Sequence, residues 1–110
     1  SFANALNSLP PQDKTKFYTS QDEFNRLGYH YLRSNSPKEA IEVFKLNAKF
    51  FPNSANVYNS LGEAFEKAND FAQAKENYQK AIDLAVKNND ADEDIETYRE
   101  SLKKLLEKQK

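Results

Sequence analysis

The chain has 110 residues, with 16 Lys and Arg against 17 Asp and Glu, and neither Cys nor Trp. That length accommodates one domain, with no room for a catalytic domain beside a separate binding domain. The near-balanced charge gives no field that would gather phosphate backbones, so nucleic acid is excluded as a partner. The lack of Cys removes disulfides and thiolate metal sites, and no apolar run approaches the ~18 residues that span a bilayer.

Mean hydropathy is −0.93, low enough on its own to suggest disorder. The six Tyr and eight Phe argue against that, because most recur at helical spacing and supply large apolar bodies for a core. The expectation is a lean, aromatic-rich core under a solvated exterior.

Taken in chain order, residues 1–20 place Phe2, Leu6 and Leu9 before Pro10 and Pro11. This reads as a short helix and a linker, whose apolar residues favour self-association if they are exposed. The chain opens on Ser rather than Met, which suggests a segment of a longer or processed protein. From about residue 21 to 34, Phe24, Leu27, Tyr31 and Leu32 form one apolar stripe. Ser36, Pro37 and Glu39 then provide an N-cap, a first helical position and a capping box. They open a helix carrying Ala40, Ile41, Phe44, Ala48 and Phe51, which Pro52 ends.

A second unit follows, with Asn53 or Ser54 capping a helix that carries Val57, Tyr58, Leu61 and Phe65. Asp70 with Gln73 caps its partner, which carries Phe71, Ala74, Tyr78, Ala81, Ile82 and Val86. Residues 91–108 form a last amphipathic helix, with Ile95, Tyr98, Leu102, Leu105 and Leu106 on its apolar stripe. Its acids crowd the first turn, and Lys103, Lys104, Lys108 and Lys110 crowd the last, as the helix dipole favours.

The two units repeat at an offset of 34. Phe24 falls on Tyr58, Leu27 and Gly28 on Leu61 and Gly62, Tyr31 on Phe65, Ala40 on Ala74, and Phe44 on Tyr78. A fixed period of this length signals stacked helical hairpins. A mid-helix Gly costs about 1 kcal/mol relative to Ala, so the two glycines imply close helix approach, expected where Gly28 meets Ala40 and Gly62 meets Ala74.

These residues resemble the tetratricopeptide repeat, whose pattern is an aromatic, Leu-Gly, an aromatic, Ala, an aromatic, Ala and Pro. The first unit departs with Asn47 where a small Ala is usual, and the second with Val86 in place of Pro. The resemblance implies an all-α fold of tandem helix-turn-helix repeats at residues 21–54 and 55–88, closed by a capping helix within 89–110. It also implies a protein or peptide partner rather than a reaction. More narrowly, residues 42–47, 51–58 and 60–65 resemble the tail appended to bacterial serine hydrolases, either α/β-hydrolase esterases or penicillin-binding-protein-like enzymes. On that resemblance the chain is an accessory of a bacterial parent, whose own N-terminal domain is one candidate partner. Its compartment would be the cytoplasm or the periplasm.

Chemistry-bearing residues are few. His30 is the sole His and precedes a core aromatic, so a packing role is preferred to a ligand role. Asp90, Asp92 and Asp94 mimic the opening of a calcium loop, but its sixth position is Ile95 and its twelfth is Ser101, so an acidic helix start is the better account. Two glycines 34 residues apart cannot build a nucleophile elbow, and no cofactor or metal site is expected. By register, Asn25, Tyr29 and Arg33 line the groove in the first unit, with Asn59, Ser60, Glu63 and Glu66 in the second. The same residues read equally well as ordinary polar surface. A clamp for a terminal carboxylate, of the heat-shock type, is rejected: its basic positions hold Asn25, Tyr29, Ser60, Asp90 and Asp94 here.

Overall fold

A computed structural model of the chain describes residues 21–109. Residues 1–20, with the expected short helix and linker, and Lys110 lie outside the described residues. Among these, the structure is a run of five α-helices: α1 (Gln21–Arg33), α2 (Pro37–Phe50), α3 (Ala55–Lys67), α4 (Phe71–Lys87) and α5 (Asp92–Lys108). No helix among them is long and apolar enough to cross a membrane.

Each hairpin folds for local reasons. In α1, Phe24, Gly28 and Leu32 fall on one line and are buried, as spacing of four residues requires. The helix ends where Asn35 turns left-handed with φ 61°. There the Ser36 N–H donates to the Tyr31 carbonyl at 2.8 Å and the Asn35 N–H to Leu32 at 3.2 Å. This is the closing pattern in which a residue of positive φ satisfies the last carbonyls of a helix. Asn69 and Asn89 do the same after α3 and α4, with φ of 63° and 58°.

Helix starts depart from expectation at two of three sites. Pro37 does take the first position of α2, but Ser36 makes no side-chain cap. Its own N–H, which a capping box offers to Glu39, is already committed to Tyr31. Ser54 precedes α3 without capping it, and its Oγ instead accepts a 2.6 Å hydrogen bond from Gln21 Nε2. Asp70 caps α4 as expected, accepting from the Gln73 N–H at 3.2 Å.

Packing joins α1 to α2 and α3 to α4 as hairpins, stacks α2 on α3 and α4 on α5, and brings α3 beside both α1 and α5. The result is an all-α fold of tandem helical repeats. One apolar cluster gathers Ala40, Phe44, Leu61, Phe65, Ala74, Tyr78 and Leu105, while a second gathers Ala55, Tyr58, Ala81, Ile82, Ala85 and Tyr98.

The glycines are buried, but the group nearest each differs from the expected alanine. A Cβ on Gly28 would stand 2.2 Å from Phe44 Cε1, and one on Gly62 would stand 2.6 Å from Tyr78 Cδ1. Each glycine therefore admits an aromatic ring sixteen positions on. Ala40 and Ala74 are fully buried in the same cluster as those rings.

Two expected core residues are surface residues: Val86 is 54% exposed and Leu106 39% exposed. The core line of α5 passes through Tyr98 and Leu105, and Leu106, about 100° further round, falls off that line onto the surface.

Candidate functional site

The adjacency of α1 and α3 brings Tyr29, at mid-helix in α1, against the middle of α3. Its hydroxyl lies 2.9 Å from Ser60 Oγ, with the Glu63 carboxylate close enough for each to shift the other's titration. Burial, reinforced by the Glu63 charge, pushes Tyr29 up to about 12.

One turn further along α3, Glu66 is held by two elements. Tyr78 of α4 donates its hydroxyl to Glu66 Oε1 at 2.9 Å, and the Lys108 ammonium at the end of α5 lies 2.8 Å from Oε2. Burial and the bond to Glu66 both raise the Tyr78 pKa. Leu32, Glu63, Glu66, Lys67, Tyr78 and Lys108 together line an open cleft of about 290 Å³.

Glu63 differs from Glu66 in lacking a cation. Its Oε1 accepts from Asn59 Nδ2 at 3.3 Å, and no ammonium or guanidinium among the described residues pairs with it. Burial lifts its pKa above the ordinary carboxylate value, the Tyr29 bond opposes that rise, and Glu66 adds to it.

The seven groove residues expected from the sequence thus take different positions. Glu63 and Glu66 line the cleft, and half-buried Tyr29 braces Glu63. Ser60 is fully buried and Asn59 is 5% exposed, so both are internal struts and not open contacts; α3 is packed from both sides, which sinks this part of its surface. Asn25 is half-buried, and its Oδ1 accepts from Asn47 Nδ2 at 3.3 Å. Arg33 is exposed in the last turn of α1, outside the cleft lining.

Sequence reasoning placed Tyr78 in the core alone and assigned Lys108 only to the helix dipole. The recurrence at an offset of 34 does not signal the Lys108 pair, because it joins positions 42 residues apart. Asn47 was read as a departure from a small residue. It is fully buried and also donates to the Gln21 carbonyl at 3.3 Å, tying α2 to the first turn of α1.

The arrangement offers two carboxylates and two tyrosine hydroxyls on rigid helices. His30 is exposed and packs edge-on to Tyr31, with ring centroids 5.7 Å apart. Among the described residues no group of three or more His, Asp or Glu could hold a metal ion. No curated protein matches the chain. Residues 55–88, which span α3 and α4, match the family model of the tetratricopeptide repeat, and this match and the paired-helix fold together support a tetratricopeptide-repeat domain.

Proposed function

We propose that the domain is a non-catalytic protein-interaction module that holds a peptide segment against the face made by α1, α3 and α5. The segment belongs either to a separate protein or to the parent's own N-terminal domain. The observation that carries this reading is the cleft itself: four helices converge on Glu63 and Glu66, Glu66 is fixed by the Tyr78 hydroxyl, and Tyr29 lies beside Glu63. Groups positioned in this way lose little further freedom on binding, which favours recognition. Tetratricopeptide repeats in general mediate protein association, which supports the same reading. Deletion of residues 21–110 from the parent protein, with co-purifying partners and assembly state as the readout, tests it. Loss of partners or altered assembly is expected, and an unchanged set of both overturns the proposal.

A second reading comes from the resemblance of residues 42–47, 51–58 and 60–65 to the tail of bacterial serine hydrolases. On it the domain is the C-terminal accessory of an esterase or a penicillin-binding-protein-like enzyme, in the bacterial cytoplasm or periplasm. Its chemistry would then lie upstream of Ser1. The gene sequence preceding this segment tests that reading directly, and an upstream region without a hydrolase domain overturns it.

A further inference from the structure

Both carboxylates of the cleft lie beside a tyrosine, but only one is paired with a cation. Glu66 has a tyrosine hydroxyl on one oxygen and the Lys108 ammonium on the other. Glu63, one turn away on the same helix, has the Tyr29 hydroxyl and the Asn59 amide but no ammonium. Asn59 supplies an independent sign of a missing donor. It is 5% exposed, its Nδ2 points at Glu63, and its Oδ1 has no hydrogen-bond partner. A buried amide oxygen without a partner is costly, and the same amide is tied through its Nδ2 to Glu63 at the cleft wall.

We propose that Glu63 is the receptor for a cationic side chain, the ammonium of Lys or the guanidinium of Arg, carried by the bound peptide. This rests on the reading of the face as a peptide-binding surface and names its ligand class. Lys108 already shows how the cleft holds such a group. Leu32 and the stem of Lys67 line the same cleft and offer apolar surface to the ligand's methylenes. The domain as a whole carries a net charge of only −1, so selectivity for cations would come from this site and not from a general field.

The test uses capped peptides of one Gly-Ser-Tyr background carrying two Lys, two Nε-acetyl-Lys or two Glu, with an uncapped neutral peptide as a fourth arm. Binding is followed by amide and side-chain NMR shifts of the domain. The Lys peptide is expected to bind about three- to tenfold more tightly than its acetylated form, with shifts at the Asn59 side-chain amide and along residues 59–66. Glu63→Gln should remove that preference, whereas Glu100→Gln on the exposed face of α5 should retain it. Lys108→Ala, which frees Glu66, should strengthen Lys-peptide binding, while Lys104→Ala, removing the same charge elsewhere, should not.

Equal binding of the Lys and acetyl-Lys peptides, or an unchanged preference in Glu63→Gln, overturns the inference. So does stronger binding of the uncapped neutral peptide, which would assign the site to a terminal amine. Binding of the Glu or acetyl-Lys peptide at least as tightly as the Lys peptide, with shifts along residues 59–66, overturns the cation while leaving the peptide-binding face in place. Absence of binding by every peptide overturns both.

Discussion

Gly62 and Tyr78 interlock: the tyrosine ring occupies the space a side chain at position 62 would need, 2.6 Å from where its Cβ would stand. Tyr78 is 2% exposed, so the ring has nowhere to retreat. Alanine is the better helix former by about 1 kcal/mol, yet overpacking of a core typically costs about 1–3 kcal/mol. Gly62→Ala and Gly28→Ala are therefore expected to lower stability, by up to about 2 kcal/mol net, in urea denaturation. Phe44→Leu, which shortens the opposing side chain, should recover part of the loss in Gly28→Ala. Single alanine variants as stable as the parent would show that ring packing is not what requires glycine.

The left-handed asparagines give a second, local expectation. Asn69 adopts φ 63°, a conformation that costs residues with ordinary side chains roughly 1–2 kcal/mol. Asn69→Ala should lose about 1 kcal/mol, and Asn69→Gly should match or exceed the parent. A thermal melt of the two variants distinguishes backbone strain from a side-chain contact, since both remove the amide but only one restores positive φ.

For Glu63 the direction of pH dependence follows from its surroundings. Its folded pKa lies above the ordinary 4.5 because burial disfavours the charge. A carboxyl raised in this way stabilises the fold fully below its unfolded value, and that contribution is lost as pH rises through the folded value. Glu63→Gln carries no charge to bury, so its melting temperature should exceed the parent's at neutral pH, by a few degrees if the gain is about 1 kcal/mol. The advantage should shrink on acidification toward pH 4.5. Melts of both proteins across that range check it, and a constant difference would contradict the assignment. The same substitution is expected to weaken Lys-peptide binding, so stability and recognition should move in opposite directions.

Glu66 ties α4 and α5 to α3 through bonds of unequal worth. The Lys108 side chain is 62% exposed, so Lys108→Ala should cost well under about 1 kcal/mol. Tyr78→Phe removes a hydroxyl bonded to a carboxylate and should cost about 1–2 kcal/mol. Because both bonds end on one carboxylate, a double-mutant cycle should show non-additivity, and strict additivity would mean that the two act separately.

The helices were legible because apolar residues recur every three or four positions, and the repeat because Phe24, Gly28, Ala40 and Phe44 have counterparts 34 residues on. The partner of each glycine was not. Ala40 and Phe44 lie one turn apart on the same face of α2, and only the helix crossing decides which reaches Gly28. Ser36 and Ser54 looked like caps, but a backbone bond to Tyr31 and a tertiary bond to Gln21 engage them instead. In the candidate site, Glu63 and Glu66 followed from register, whereas the burial of Asn59 and Ser60 depends on how closely α3 is enclosed. Lys108 reaches Glu66 only because α5 folds back beside α3, a relationship between distant segments that helical periodicity does not encode.

Nine of the thirteen residues of α3 are buried. They serve both apolar clusters, Leu61, Ala64 and Phe65 in one, and Ala55 and Tyr58 in the other. In a linear array, unravelling ordinarily begins at the ends and travels inward. Here it would meet the same helix from either direction. Detaching α5 strips Tyr98 from the cluster that holds Tyr58, and detaching α1 strips Tyr29 from Ser60, yet each leaves the opposite flank of α3 engaged. The slowest amide exchange should therefore lie in α3, the last zipper tooth to open.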